Sequence, residues 1–401
     1  MKFSLHSCVI VLFVSLVGFV SCKKLDDEPD DSGRQTLISR LYVSFQDYQD
    51  GGESSIKNLM IVDPADTTSL TNIYQYLSPS KGGGPVTFDP RVKAIFQAST
   101  NDAVLQDTFL RVIPFQNDIY GIPGTSGNIG FTGFRNVRGL AYYLFSQSTG
   151  TGSAPANSDF LLAATNNGTN SSLYAISRPT GKTGSRGGAK IIDKQINLGA
   201  IRPTSMVLLR GNGSNEPYLL VGFNNDGSNK GAGFAVYTNL KQELIDRPRD
   251  TIVNAEKFAP ALKVYIAGNK ANLGSIAYAP QRKLLAVTTF SGSGGSAVGE
   301  VLFFNDPDNV FKPGGASEKE VTPDKIISGG QTGLVQPQSV GIDDRVEEGK
   351  YFYVSDRSTK KISRFLLTDQ GDAKPDLTQI YNNLTPSYIF LDARSATNFG
   401  N

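Results

Sequence analysis

Acidic and amide side chains in glycine-rich segments are the residues of this chain best placed to do chemistry. Five of them recur just after, or close behind, a run of apolar residues: Asp47, Asn166, Asn224, Asp226 and Asp356. Carboxylate and amide oxygens suit hard cations such as calcium, and they also hydrogen-bond polar ligands. Asn, Asp and Gly are equally favoured in tight turns, so ordinary turn chemistry is the competing interpretation. No metal ligand set is assigned.

The amino-terminal segment has the form of an export signal. Met1-Lys2 gives a positive head, residues 3–20 are almost entirely apolar, and the small Ser21 precedes Cys22. This arrangement resembles a bacterial lipoprotein signal, which implies that the cysteine is lipidated and becomes the first mature residue. A plain secretory signal and a retained membrane anchor are the alternatives, although the run is short for a membrane span.

Missing residue types limit the catalytic repertoire. The chain has one histidine, His6, two cysteines, Cys8 and Cys22, and no tryptophan. Removal of the signal therefore leaves no imidazole and a single thiol. That excludes Ser-His-Asp and Cys-His catalysis, zinc sites built from His or Cys, and internal disulfides. Carboxylates, Lys, Tyr, Ser and Thr remain as candidate catalytic groups.

A basic pair and an acidic cluster follow the cysteine. Lys23 and Lys24 precede Asp26, Asp27 and Glu28. These residues resemble the signal that sends lipoproteins to the outer face of the outer membrane in one large Gram-negative group, which implies exposure at the cell surface. A solvated tether is the alternative interpretation of the same charges.

Short apolar and aromatic runs separated by polar turns predict an all-β fold from residue 37 onward. A longer repeat is also visible, because the segments at 203–209, 273–278 and 337–343 are similar, with a looser copy at 137–142. The same position in the four copies is held by Gly139, Ser205, Ser275 and Ser339, at a spacing of about 65 to 70 residues. Three more strands follow each copy. Four strands repeated in this way predict a β-propeller.

Counting repeats gives six four-stranded blades, with seven blades or a pair of β-sandwiches as alternatives. Residues 119–134 or 252–266 would supply the extra strands of a seventh blade. The sixth blade is predicted to combine both ends of the sequence, with residues 41–45 and 58–62 as middle strands and residues 387–391 innermost. The predicted organisation is a signal peptide at 1–21, a tether at 22–36, the propeller at 37–395 and a tail at 396–401.

The last repeat resembles an NHL-type propeller repeat, a pattern shared by SMP-30-like propellers. The matching residues are Pro337 and those at 339–343, 353–356 and 362–365. For SMP-30-like lactonases the resemblance implies a calcium ion held by one Glu, two Asn and one Asp. Glu53 lies in a loop rather than at a strand start, and no two repeats place Asn at matching points. Calcium is the one cofactor left open.

These features predict an outer-membrane lipoprotein whose propeller is a binding or scaffolding module rather than an enzyme. The loops between second and third strands, which carry the five candidate residues, are expected to surround the mouth of the central channel. The expected partners are the membrane, through the lipid, and a glycan, an envelope protein or a small molecule. A calcium-dependent hydrolase or lactonase is the alternative. The net charge of +2 and the lack of a basic stripe argue against nucleic acid.

Overall fold

The computed structural model describes most of the chain from residue 37 to residue 395. The described ranges are 37–48, 56–70, 73–99, 107–117, 122–144, 159–184, 191–209, 216–246 without 225, 227 and 229, and 251–395 without 269 and 293. The predicted signal, lipidation site, export signal, tether and tail all lie outside these residues. No helix among the described residues is long and apolar enough to cross a membrane.

Six β-sheets form the fold, and their strands are numbered here in chain order from β1 to β27. Blade 1 contains β27 (Pro386–Arg394), β1 (Ile38–Phe45), β2 (Leu59–Val62) and β3 (Ile73–Tyr76), from the innermost strand outward. Blade 2 contains β4 (Gly83–Asp89), β5 (Ala94–Ser99), β6 (Phe109–Asn117), β7 (Ile122–Pro123) and β8 (Gly127–Gly130). Blade 3 contains β9 (Val137–Leu144), β10 (Asp159–Thr165), β11 (Ser172–Ser177) and β12 (Lys194–Asn197), with β16 (Thr251–Val253) added outside.

The second half of the ring repeats this arrangement. Blade 4 contains β13 (Pro203–Leu209), β14 (Tyr218–Phe223), β15 (Gly233–Tyr237) and β17 (Leu262–Ile266), with β21 (Glu318–Val321) outside. Blade 5 contains β18 (Asn272–Ala279), β19 (Leu284–Ser291), β20 (Val298–Asn305) and β22 (Lys325–Ser328). Blade 6 contains β23 (Pro337–Ile342), β24 (Tyr351–Asp356), β25 (Lys361–Leu366) and β26 (Leu377–Ile380). The described helical turns are short: Gly168–Asn170, Pro179–Lys182, Gln242–Asp246, Gly294–Ser296, α1 (Pro307–Val310) and Gly330–Thr332.

The six sheets close into a ring, which confirms the six-bladed propeller. The innermost strands β4, β9, β13, β18, β23 and β27 contact one another in that order, and β27 returns to β4. Strands within 119–134 belong to blade 2, and those within 252–266 belong to blades 3 and 4. The seven-bladed and sandwich alternatives are therefore wrong for the described residues.

The predicted closure of the ring is confirmed. Strand β27 lies antiparallel to β1 in a register that runs from Ile38 opposite Arg394 to Ser44 opposite Tyr388. Strand β2 follows on the other side of β1, so the first and last described strands share one sheet. Blade 2 differs in detail from the expected order. Its innermost strand is β4, whereas the runs at 92–96 and 109–113 lie in β5 and β6.

Middle strands are apolar on both faces because each sheet lies between two others. In β10, Phe160, Leu162 and Ala164 face the cluster shared with blade 4, whereas Leu161 and Ala163 face the cluster shared with blade 2. The described core divides into six such clusters, one for each joint between blades. The alternation of side chains along a strand thus serves two neighbouring interfaces.

Serine hydroxyls at the repeat positions join the innermost strands of successive blades. The N–H of Ile276 donates to the Ser205 hydroxyl over 3.1 Å, and the N–H of Val340 donates to the Ser275 hydroxyl over 3.0 Å. The N–H of Ile389 likewise donates to Ser339 over 3.2 Å. We call this set the serine clasp. It connects blade 4 to 5, 5 to 6 and 6 to 1.

Gly139 holds the equivalent position in blade 3 for a steric reason. A Cβ atom there would lie 2.8 Å from the backbone nitrogen of Met206 in blade 4. Real Cβ atoms essentially never come that close. The two innermost strands therefore approach each other more closely at this joint than a serine would allow.

The loop between third and fourth strands of each blade reaches back to the preceding blade. In blades 4 and 5 it supplies β16 and β21, which add in parallel to β12 and β17 of the blade before. In blade 6 it pairs Gly371 with Ile327, and in blade 3 the Gly184 N–H donates to the Asn128 carbonyl. We call these segments the return loops.

The remaining two joints follow the same rule with side chains. The Tyr76 hydroxyl of blade 1 donates to the Gly124 carbonyl of the blade 2 loop over 3.0 Å. Tyr353 of blade 6 donates to the Ala65 carbonyl of the blade 1 loop over 2.9 Å. Every blade therefore has its outer or middle strands held by its successor.

Replacing a member of the serine clasp tests its contribution to stability. Ser275→Ala removes the acceptor of the buried Val340 N–H and the 3.0 Å bond to the Ser339 hydroxyl. An unsatisfied buried donor costs about 1–3 kcal/mol, so the free energy of unfolding in urea should fall by that amount. Ser317→Ala, at an exposed position, is the control and should leave the unfolding curve unchanged. Equal free energies of unfolding for both variants would show that the serine clasp does not contribute to stability.

Candidate functional site

A cavity of about 380 Å³ lies on the axis of the ring. Its wall is formed by the innermost strands of all six blades, and it starts near Arg138, Ser205, Ser275 and Ser339. It extends past the ends of the strands to residues such as Gln281. We call the side where the innermost strands begin the upper face and the side where they end the lower face. The cavity therefore reaches towards the lower face.

The wall of the cavity is apolar over much of its surface, with charges at particular points. Its apolar lining includes Val86, Leu140, Met206, Ile276, Val340 and Leu391. The charged residues that line it are Asp89, Arg138, Asp344, Asp392 and Arg394. An apolar wall with a few polar groups is typical of small-molecule sites, and the volume falls within their usual range of about 300–1,000 Å³.

Three neighbouring blades end their innermost strands with the same Asp-x-Arg arrangement. In blade 1 Arg394 donates to Asp392 over 2.8 and 2.9 Å, and in blade 2 Arg91 donates to Asp89 over 3.0 and 2.5 Å. In blade 6 Arg345 donates to Asp343 over 2.9 and 2.6 Å. Each arginine thus forms a two-point contact with the carboxylate two residues before it. We call these pairs the arginine forks.

Each fork aims its guanidinium at the next blade. Arg345 reaches Asp66 of blade 1 over 2.6 Å. The guanidinium of Arg394 lies 5.8 Å from the centre of the Phe88 ring in blade 2, and that of Arg91 lies 5.6 Å from the Tyr142 ring in blade 3. The forks therefore connect blade 6 to 1, 1 to 2 and 2 to 3 near the lower face. Sequence reasoning missed them, although Asp-x-Arg at three strand ends was a readable signal.

Two tyrosines that line the cavity donate to acidic residues of their own blades. Tyr142 donates to Asp159 and Tyr278 donates to Asp308, each over 3.0 Å. Burial and the neighbouring Asp159 carboxylate raise the pKa of Tyr142 well above its ordinary value. The Tyr142 ring also stacks on Phe96 at 5.6 Å. Both tyrosines that line the cavity are thus held in place by hydrogen bonds to acidic side chains of their own blades.

The five candidate residues from the sequence lie at the upper face and do not line this cavity. Asp356 accepts hydrogen bonds from the N–H groups of Val335 and Gln336 with one oxygen, and from those of Ser358 and Thr359 with the other. Asp47 accepts from both the N–H and the hydroxyl of Thr385. These carboxylates organise the chain around the ends of blades 1 and 6. A ligand role for them stays a prediction.

The two asparagines among the candidates join neighbouring blades. The Asn166 side-chain amide of blade 3 donates to the Pro203 carbonyl of blade 4 over 3.2 Å. The N–H of Leu273 in blade 5 donates to the Asn224 side chain of blade 4 over 2.6 Å. Both contacts lie where an innermost strand begins, so the upper face gains blade-to-blade bonds from these amides.

Asp226 is the centre of a polar network on blade 4. Its buried carboxylate accepts from Lys263 over 2.7 Å, from Tyr265 over 2.9 Å and from the Ser228 hydroxyl over 2.6 Å. Burial alone would raise the pKa of Asp226, but these hydrogen bonds outweigh burial and hold that pKa well below its usual range. Burial together with the Asp226 carboxylate raises the pKa of Tyr265 to about 12.

The described residues do not bring together the side chains of a metal site. Among them, no three His, Cys, Asp or Glu side chains converge as a metal site would require. The oxygen-rich loops at the upper face are instead occupied by the internal hydrogen bonds given above.

Comparisons with known proteins identify no family. No family model matches the chain, and no curated protein matches it. Among solved structures, the periplasmic gluconolactonase PpgL of Pseudomonas aeruginosa is 12% identical, with a TM-score of 0.49, and covers 90% of this chain and 99% of its own. A functionally unknown protein from Desulfotomaculum acetoxidans is 10% identical, with a TM-score of 0.45 and coverages of 89% and 99%. Kuenenia stuttgartiensis hydrazine synthase is 13% identical, with a TM-score of 0.40 and coverages of 78% and 72%.

The Asp226 network predicts a particular pH dependence of stability. Because the folded-state pKa of Asp226 is depressed, its contribution is complete above the unfolded-state pKa of about 3.9 and is lost as the pH falls below that value. Asp226→Asn should therefore lower the free energy of unfolding by about 1–3 kcal/mol at pH 7, and the difference from wild type should shrink below pH 4.

Urea unfolding of wild type and variant at pH 7, 5 and 3 measures this difference. Glu347→Gln, at an exposed position, is the matched control and should follow wild type at each pH. A deficit of Asp226→Asn that stays constant from pH 7 to 3 would show that the carboxylate is not the source of the stability.

Proposed function

We propose that this chain is a lipid-anchored protein of the bacterial cell envelope whose propeller binds a ligand in its axial cavity. The observation that carries the proposal is the cavity of about 380 Å³ with walls from all six blades. A site built from every blade is present only when the ring is closed. Ligand binding is thus tied to the integrity of the whole fold.

The rigidity of the wall supports a binding role. The serine clasp fixes three joints between innermost strands, and the arginine forks fix three joints near the lower face, with the joint of blades 6 and 1 held by both. A pre-formed site loses little conformational freedom on binding, so more of the contact energy appears as affinity. The mostly apolar lining favours a small molecule over the glycan or envelope protein that the sequence also leaves open.

Attachment to the membrane is the part of the proposal that rests on sequence. Ser21-Cys22 and the acidic cluster at residues 26–28 support a lipid-anchored protein at the outer face of the outer membrane. Multiple acylation would make such an anchor lasting, because one acyl chain alone binds membranes only with a partition constant on the order of 10⁴ per molar.

Anchoring can be tested by replacing the cysteine. Cys22→Ser should abolish metabolic labelling of the protein with radioactive palmitate and release it from the outer-membrane fraction, because the site of acylation is gone. Combined replacement of Asp26, Asp27 and Glu28 by Ala should retain the label but protect the protein from protease added to intact cells. Persistent labelling of Cys22→Ser would overturn the anchor, and unchanged protease digestion of the triple variant would overturn the export signal.

Calcium separates the binding module from the hydrolase alternative. A binding module should show no calcium-dependent hydrolysis, and dialysis against EDTA should leave its thermal midpoint unchanged. The measurements are calorimetric titration with calcium, and hydrolysis of gluconolactone and p-nitrophenyl acetate before and after chelation. Stoichiometric calcium together with hydrolysis that EDTA abolishes would replace the binding role with the enzymatic one.

A further inference from the structure

We infer that the axial cavity takes a small molecule with an apolar body and one carboxylate, and that Arg138 binds the carboxylate. This inference rests on the proposed function, because it names the ligand class of the same cavity. Arg138 is half-buried near the start of β9, where it lines the upper part of the cavity. It is the only cation among the lining residues at that level.

The other charges of the cavity lining already have partners. Arg394 and Asp392 form one arginine fork, and Asp89 belongs to another. Asp344 accepts from the N–H groups of Gln281 and Arg282. Arg138, in contrast, has no hydrogen bond, ion pair or ring contact with any described residue. Arg138 is therefore the one charged side chain of the lining that has no partner among the described residues.

Arg138 is exceptional among the arginines of the described chain as well. Every other buried or half-buried arginine there donates to a carboxylate or a carbonyl: Arg40, Arg111, Arg202, Arg282, Arg345, Arg364 and Arg394. Arg138 is half-buried, and an incoming carboxylate would give its guanidinium an acceptor in the planar two-point geometry that arginine prefers.

The placement of charges also sets the orientation of the ligand. Asp89, Asp344 and Asp392 lie at the lower end of the cavity, beyond the apolar lining. Tyr142, four residues beyond Arg138 on the same strand, lies about 13 Å further down at 3.3 Å per residue. The charge of Arg138 attracts an anionic group to the upper end, whereas Arg394 at the lower end is already paired with Asp392. The apolar body would lie between, against Leu140, Met206 and Ile276.

Calorimetric titration of the full chain in phospholipid nanodiscs, with empty nanodiscs as the blank, tests this inference. The probes are 4-phenylbutyrate, its neutral analogue 4-phenyl-1-butanol, and acetate, which has the carboxylate without the apolar body. Wild type should bind phenylbutyrate at least about tenfold more tightly than the alcohol, as a charge-assisted pair predicts, and should show no saturable binding of acetate.

Variants at position 138 identify the group responsible. Arg138→Gln should reduce phenylbutyrate affinity to that of the alcohol and leave the thermal midpoint unchanged, because the side chain has no partner among the described residues. Arg138→Lys should retain part of the preference. Arg135→Gln, an exposed arginine three residues earlier, is the control and should behave as wild type.

Two results would overturn the inference in different ways. Equal affinities for phenylbutyrate and the alcohol, unaffected by Arg138→Gln, would show that the cavity binds ligands but does not recognise a carboxylate. Absence of binding by all three probes would show that the cavity does not take apolar carboxylates at all. Neither result affects palmitate labelling at Cys22 or the calcium measurements, which decide the proposed function separately.

Discussion

The antiparallel pairing of β27 with β1 is the contact on which the rest of the structure depends. Residues 386–394 complete the sheet that residues 38–62 begin, and they also provide one of the six strands that line the cavity. The cysteine content leaves no disulfide within the described residues to hold this seam. Backbone hydrogen bonds and the cluster shared by blades 6 and 1 must therefore hold the ring closed.

Polar contacts reinforce the joint of blades 6 and 1 at several distances from the axis. Ser339 bonds the N–H of Ile389 near the upper face, and Arg345 reaches Asp66 near the lower face. Further out, Tyr353 donates to the Ala65 carbonyl, and Arg364 bonds the same return loop. The contacts of Arg345, Tyr353 and Arg364 therefore join the carboxyl-terminal part of the ring to residues 65–66 of its amino-terminal part, in addition to apolar burial.

Blade number and ring closure could be predicted from the sequence because their signals are local and repeated. Runs such as Phe160 to Ala164 are apolar at every position, which marks a strand covered on both faces. The inner strand Gly83–Asp89 was missed, since two glycines and a proline weaken its strand signal. The innermost position of this strand follows from closure of the ring, and the local sequence pattern does not show it.

The site was harder to predict than the fold. Asn166 and Asn224 stood out as polar residues in turns, but their hydrogen bonds to the next blade depend on distances between segments about 37 to 49 residues apart. The cavity is lined instead by residues of the innermost strands. No motif around Arg138 in the sequence distinguishes it from the other arginines. Its lack of an acceptor becomes visible only when the six blades are brought together.

The backward direction of the return loops has a consequence for how the chain acquires its structure. Each unit receives part of its edge from the unit that follows it in the sequence. While the chain folds, the sheets of blades 1 to 5 therefore stay incomplete until the following blade is in place. The first sheet waits longest, because its innermost strand is made after all the others. Exposed strand edges invite association with other chains, so the incomplete ring is open to aggregation until the final strand pairs with β1.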